Sequence, residues 1–270
     1  ILKNILPKMK TSRFILLIPN LVFLFLLISC SGISKTAKTN QTIKFLSYNV
    51  RNCKGMDNIT NYQRLADAIN KAGAACVALQ ELDSNTLRSN HCSVLDELAK
   101  RTNMFPFFHG SISYQGGKYG IGILTKEKPV SVRAFTLPGS EEKRSILIAE
   151  MKNYFFCCTH LSLTPEDRAV SIDIINRKLP ANSKKPVILA GDLNAEPQTA
   201  EIGKLTENWQ ILSDTTRYTF PADKPDRCID YFLFKKDPKF RAQIIGTCVM
   251  DEPLASDHRP LLVEIIFLRN

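Results

Sequence analysis

Val187-Ile188-Leu189-Ala190-Gly191-Asp192-Leu193-Asn194 joins an uninterrupted apolar run to a carboxylate and an amide. Four apolar residues in succession read as a strand covered on both faces, because a strand with one wet face alternates apolar and polar positions. In extended chain Asp192 and Asn194 fall on the same side. An acid and an amide so placed can take a proton from water while the amide orients the water or holds a phosphate oxygen. An Asx turn closing a strand reads equally well from these residues alone.

Working outward, further apolar runs of strand length occur at residues 43–50, 76–82, 120–124, 145–151, 154–161, 229–234, 244–249 and 261–267. Helical spacing appears at 61–72, 94–100 and 166–179, the last opened by Thr164-Pro165 as cap and first turn. Residues 84–91 and 111–118 read as short loops carrying Arg88, Tyr114 and Lys118. The pattern predicts one mixed α/β domain over residues 43–270, with β-α-β alternation early and strands later. Two packed mixed sheets flanked by helices, a four-layer sandwich, would cover both faces of the apolar strands.

Such sheets place ligands at the C-terminal ends of their strands. Several of the predicted ends carry Asn49, Glu81 and His160, and Asp230 and Asp257-His258 come later. Glu81, between buried-strand residues, is costly unless paired or bound to a metal. Asp230, between Ile229 and Tyr231, is most cheaply satisfied by a histidine N–H. Asp257-His258 sets a hard oxygen ligand beside an imidazole able to bond a phosphate. A histidine ending an apolar strand, as His160 does, is also an ordinary hydrogen-bonded core residue.

Residues 1–30 read as a signal peptide with a lipobox. Lys10 and Arg13 precede an apolar stretch that ends at Leu27-Ile28-Ser29-Cys30, too short for a membrane span by itself. Cys30 would carry the lipid, residues 1–8 read as an over-extended start, and the polar residues 31–42 read as a flexible tether. The expected location is a lipid-anchored, periplasm-facing membrane surface. Net charge is +10, and the first 30 residues hold four basic and no acidic residues, which leaves +6 on the rest. That modest excess suits an anionic substrate but lacks the dense basic stripe of a dedicated nucleic-acid binder. With Cys30 set aside, seven cysteines remain, an odd number that cannot all pair, and no CxxC suggests zinc.

In order along the chain, Ser47-Tyr48-Asn49-Val50-Arg51, Leu79-Gln80-Glu81, Tyr119-Gly120-Ile121-Gly122-Ile123-Leu124, Thr159-His160, Gly191-Asp192-Leu193-Asn194, Ile229-Asp230-Tyr231 and Ser256-Asp257-His258 resemble the motifs of the endonuclease/exonuclease/phosphatase superfamily, the DNase I-like fold. The resemblance implies a metal-dependent phosphoric ester hydrolase. Glu81 would be the principal Mg²⁺ ligand, with Asn49 and Asp257 beside the metal and Mn²⁺ as a substitute. Asp192 would align or deprotonate the attacking water, with Asn194 positioning it or the phosphate. His258, oriented by Asp230, would hold a phosphoryl oxygen, His160 would serve the leaving-group side, and Arg144 would bind phosphate. Arg51 stands where some abasic-site nucleases of the family carry an aspartate, which argues against an abasic-site role, and no acidic partner for His160 is identifiable. The expected activity is hydrolysis of a small or lipid-headgroup phosphoester by a monomer. The alternatives are a secreted non-specific nuclease and, in another class, a non-catalytic phosphate-binding protein on the same fold.

Overall fold

The computed structural model describes residues 41–179 and 183–270, within one unit, Thr39–Asn270. The chain enters through β1 (Ile43–Asn49), passes through α1 (Tyr62–Ala72) and returns parallel to β1 as β2 (Cys76–Ser84). Helix α2 (Val94–Thr102) leads into the hairpin of β3 (Phe105–Tyr114) and β4 (Gly117–Thr125). The second sheet begins with β5 (Ser131–Leu137) and β6 (Arg144–Glu150) and continues into β7 (Phe155–His160). Helix α3 (Pro165–Lys178) connects β7 to the parallel β8 (Val187–Asp192), and α4 (Ala200–Asn208), β9 (Trp209–Ile211) and β10 (Asp230–Lys235) complete it. Finally β11 (Phe240–Val249) and β12 (Leu261–Arg269) rejoin the first sheet, β12 lying antiparallel to β1. The strand orders are β11-β12-β1-β2-β4-β3 and β5-β6-β7-β8-β10-β9.

Three cores separate four layers, as the uninterrupted apolar strands require. Between the sheets lie Phe45, Ala78 and Ile123 from one and Phe156, Cys158 and Phe232 from the other, with Phe45 stacked on Phe156 at 5.2 Å. The outer face of the first sheet buries Leu46, Val77 and Leu79 against Leu65, Ile69 and Leu95 of α1 and α2. The outer face of the second buries Ile148, Leu189 and Leu233 against Ile172, Ile175 and Leu205 of α3 and α4. Helix α1 starts where the Asn61 side chain accepts from Arg64 N and stops at Gly73 in the left-handed region.

The layered α/β reading holds, with local corrections. Residues 111–118 are not a loop: they are the tip and flanks of the β3–β4 hairpin. Strands β3, β5 and β9, unpredicted, lie at sheet edges, and α4 is an additional helix. The seven cysteines outside the signal region are free, and burial pushes the thiols of Cys76 and Cys158 up to about 12. Residues 1–40, which hold the expected signal peptide, lipobox and most of the expected tether, lie outside the described residues.

Candidate active site

The two parallel pairs, β1 with β2 and β7 with β8, end on the same edge of the sandwich, and from these ends come Asn49, Glu81, His160 and Asp192. Asp230 opens β10 directly opposite Asp192 in the antiparallel ladder. Asp257 and His258 lie in the turn before β12. The mouth is a cleft of about 330 Å³ lined by Glu81, Asp192, Asn194, Asp257, His258 and His160, among others.

Glu81 reaches this cleft through a backbone irregularity. Leu79 pairs with Gly122 and Leu82 with Gly120, so Gln80 and Glu81 together face Ile121 alone, and Glu81 adopts φ +61°. In regular alternation Glu81 would share the helix-covered face with Val77 and Leu79. The bulge turns it to the strand end, a use of bulges that recurs beside active sites. There Asn49 Nδ2 donates to Glu81 Oε1 at 2.9 Å. Gly191 is a second local necessity. At φ +152° a Cβ there would lie 1.9 Å from the Thr159 carbonyl oxygen, so β7 and β8 close up on Asp192 only with glycine at this position.

Asp192 is almost wholly buried. Its Oδ1 accepts from the Asn194 backbone N–H at 2.9 Å, and Asn194 takes φ +49° to make that bond. Its Oδ2 accepts from Asn49 Nδ2 at 3.1 Å and lies 3.6 Å from His258 Nε2 and 3.5 Å from His160 Nε2. Burial pushes its pKa up, to about 7, although the neighbouring His258 works against the rise. For His258 the balance is reversed. Burial alone lowers it, but the carboxylates of Asp230, whose Oδ2 accepts from Nδ1 at 2.9 Å, and of Asp192 outweigh burial and raise it to about 10. His258 is therefore an imidazolium at neutral pH.

The second histidine is its electrical opposite. Burial first, then the Arg144 guanidinium and His258, hold His160 well below the ordinary imidazole range. Arg144 Nη1 lies 3.2 Å from His160 Nδ1, where a guanidinium can only donate, while Nε2 lies 3.1 Å from Asn194 Nδ2 and 3.5 Å from Asp192 Oδ2. Asn194 Nδ2 donates to the Leu161 carbonyl at 3.0 Å. The missing acidic partner of His160 is thus explained: a cation occupies that place. Arg144 is itself buried and paired with Glu141 at 2.8 Å and Glu142 at 2.9 Å, so its fork is committed to protein carboxylates.

A hard cation suits one part of this geometry. Glu81 lines the cleft with one oxygen fixed by Asn49 and the other without a protein partner among the described residues, as a carboxylate ligand requires. Asp257 lines the same cleft, half-buried, with Oδ2 3.5 Å from Arg51 Nε. Asn49 turns Nδ2 to the two acids and its Oδ1 accepts from Arg51 N at 3.2 Å, so it orients Glu81 and Asp192. Asp192, Asp230 and His258 also cluster closely enough to hold an ion. Asp230 and His258 are spent on each other at 2.9 Å, which leaves Glu81 with Asp257 as the better oxygen site.

The sequence profile described as Endonuclease/Exonuclease/phosphatase family matches residues 46–258. The protein belongs to that family. Members of the endonuclease/exonuclease/phosphatase family are hydrolases of phosphoesters. Exodeoxyribonuclease III of Haemophilus influenzae is 24% identical over 217 residues, 71% of this chain and 73% of that protein. Among solved structures, an endonuclease/exonuclease/phosphatase of Bacteroides vulgatus superposes with a TM-score of 0.67 at 18% identity, covering 84% of this chain and all of the other. A mannosyl-6-phosphatase of Bacteroides thetaiotaomicron gives a TM-score of 0.64 at 18% identity over 83% of this chain and 100% of its own. D. rerio TDP2, complexed with a single-strand DNA product, gives 0.61 at 18% over 83% and 99%. At these identities the superpositions establish the fold.

The fold brings the motif residues of this family member together, and adds lining groups that the motifs do not contain. Glu142 faces the cleft, with burial and then Glu81 raising its pKa against the pull of Arg144. Tyr119, Phe220 and Arg227 complete the walls. Tyr119 opens the motif Tyr119 to Leu124, but neither Phe220 nor Arg227 belongs to a motif.

Proposed function

We propose that the protein is an exported, lipid-anchored, Mg²⁺-dependent phosphoesterase that hydrolyses small phosphoesters such as sugar phosphates or lipid headgroups. The observation that carries this reading is the shared position of Asp192 Oδ2, within 3.1 Å of Asn49 Nδ2 and 3.6 Å of an imidazolium that Asp230 fixes. Bound at Glu81 and Asp257, Mg²⁺ would neutralise charge developing on the phosphoryl oxygens. Asp192, with Oδ1 locked by Asn194 N–H, accepts the proton of the attacking water at Oδ2. His258, cationic and held at Nδ1, turns Nε2–H towards the phosphoryl oxygens. His160 stands beside the same carboxylate, its Nε2 3.5 Å from Asp192 Oδ2, and as the new P–O bond forms the ester P–O bond breaks and the leaving oxygen takes a proton from solvent.

Cleft size favours a small substrate over a polynucleotide, since about 330 Å³ matches the lower range of small-molecule sites. The nuclease reading is supported by the likeness to exodeoxyribonuclease III. Export rests on the reading of residues 1–30. The deciding experiment is hydrolysis of p-nitrophenyl phosphate and bis-p-nitrophenyl phosphate with Mg²⁺, Mn²⁺ or EDTA, beside Asp192→Asn. Metal-dependent turnover lost in the variant is expected. Equal phosphate binding by both proteins, with no turnover by either, would favour a binding protein, and faster cleavage of single-stranded DNA than of either ester would favour the nuclease.

A further inference from the structure

Two arginines line the cleft, and they are differently placed. Arg144 is buried between Glu141 and Glu142. Arg227 is exposed, and its acidic neighbour among the described residues is the exposed Asp226, at 3.4 Å. Yet Arg227 is not a loose surface side chain. Its guanidinium carbon lies 4.5 Å from the centre of the Phe220 ring, and that ring packs on the His258 imidazole at 4.7 Å between centroids.

The backbone beneath is fixed as well. Arg227 N donates to Phe220 O at 2.9 Å, and Thr219 N and Phe220 N both donate to Arg227 O. This loop is sewn to the segment that carries Asp257 and His258. Arg259 N donates to Thr219 O, Ala222 N donates to Asp257 O and Arg259 Nε donates to Ala222 O, each at 2.7 Å. The guanidinium therefore holds a set position relative to the catalytic imidazole, and much of the ordering entropy that a ligand would otherwise exact is already lost in the free protein.

We propose that Arg227 is a substrate-binding residue that grips two oxygens of the phosphoryl group from the Phe220 wall of the cleft, and so favours doubly charged monoesters over singly charged diesters. The proposal rests on the phosphoesterase reading. A guanidinium stacked on an aromatic face keeps its N–H edge free, and that edge matches a pair of phosphate oxygens. Arg144 could do the same only by giving up two ion pairs. Arg227 is thus the cleft cation whose fork is available, and His258 would serve the third phosphoryl oxygen, with Glu81 and Asp257 the residues that would hold a charge-neutralising metal.

The test uses the full chain as wild type, Arg227→Ala, Arg227→Lys and Asp192→Asn, with Mg²⁺. Substrates are p-nitrophenyl phosphate and bis-p-nitrophenyl phosphate, and inorganic phosphate is the competing ligand. Arg227→Ala is expected to raise KM for the monoester and weaken inhibition by inorganic phosphate about 10- to 100-fold, the usual worth of a charge-assisted bond. It should change kcat by less than about threefold and affect the diester less, and added guanidinium ion should restore part of the loss. Arg227→Lys should fall between. Unchanged KM and phosphate inhibition in Arg227→Ala, with an active wild type and a dead Asp192→Asn, would overturn the proposal and leave the phosphoesterase reading standing. Equal losses on both esters with a lowered Tm would overturn it in favour of a structural role. If the wild type hydrolyses neither ester, the phosphoesterase reading fails, and calorimetric titration of inorganic phosphate into wild type and Arg227→Ala decides the role of Arg227 by the same comparison.

Discussion

Asp230→Asn removes one charge while keeping the shape of the side chain, and the surroundings of Asp230 determine the cost. Its Oδ2 accepts the His258 Nδ1 proton at 2.9 Å, and its Oδ1 is buried with no partner among the described residues. An asparagine has two ways to sit there. With its oxygen against Nδ1, the amide NH₂ replaces Oδ1 and becomes a buried donor without an acceptor, at a cost of about 1–3 kcal/mol. With its NH₂ against Nδ1, that ring nitrogen must give up its proton to accept, so His258 is held neutral with its one proton on Nε2. Either way the imidazolium loses its nearest carboxylate. Opposite charges at such range account for about one to three pH units. His258, near 10 in the native protein, should then titrate between about 7 and 9. Turnover should drop about 10²- to 10⁴-fold, the usual contribution of a positioned acid–base group. Titration of the His258 ring protons by NMR reads the first effect, and the pH profile of p-nitrophenyl phosphate hydrolysis reads the second. A His258 titration that does not move, with kcat within about twofold of wild type, would refute the role given to Asp230.

Glu81→Gln should weaken calorimetric Mn²⁺ binding by about 100-fold or more while Tm changes little, because the role proposed for this half-buried side chain is that of a ligand and not of core. Gly191→Ala drives a Cβ to 1.9 Å from Thr159 O at a left-handed φ. It should cost about 3 kcal/mol and lower Tm by about 6–12 °C in thermal denaturation. The metal-free protein should lose stability as pH rises, in two windows. Asp192 is raised from 3.8 to about 7 in the fold, so its contribution is whole below about 3.8 and gone above 7. His258 is raised from 6.5 to about 10, so its contribution is whole below about 6.5 and is lost as pH climbs through 10. Denaturant melts of wild type and Asp192→Asn at pH 5 and pH 8 check the lower window, which the variant should flatten.

The central strands were legible because their burial is written in unbroken apolar runs such as Val187 to Ala190. The missed strands are edges. Phe105–Tyr114 mixes Pro106 and Gly110 with half-exposed positions, and Ser131–Leu137 alternates polar residues along an outer rim, so neither shows a two-sided core signature. Gly203 interrupts the periodicity that would have marked α4. Glu81, Asp192, Asp230 and His258 stood out because each sets a polar group against an apolar strand. The Arg144 to His160 contact, the Asp257 to Arg51 pair and the placement of Arg227 over Phe220 join residues distant in sequence, or across a turn whose geometry no local pattern encodes. The bulge at Gln80 and Glu81 was equally hidden, since it is a property of pairing with β4 and not of the residues themselves.

The reacting groups are divided between the two sheets. Asn49, Glu81 and the segment of Asp257 and His258 belong to the first, while His160, Asp192 and Asp230 belong to the second. The distance from Asn49 to Asp192 is accordingly a gauge of how one slab slides over the other, and the core between the sheets, the Phe45–Phe156 stack within it, lies behind that gauge. A slip of about 1 Å would leave every helix and strand intact and still cost roughly two orders of magnitude in rate. Substitutions in that interior are therefore policed by chemistry before they are policed by folding, and turnover will report on the alignment of the two halves sooner than any melting curve.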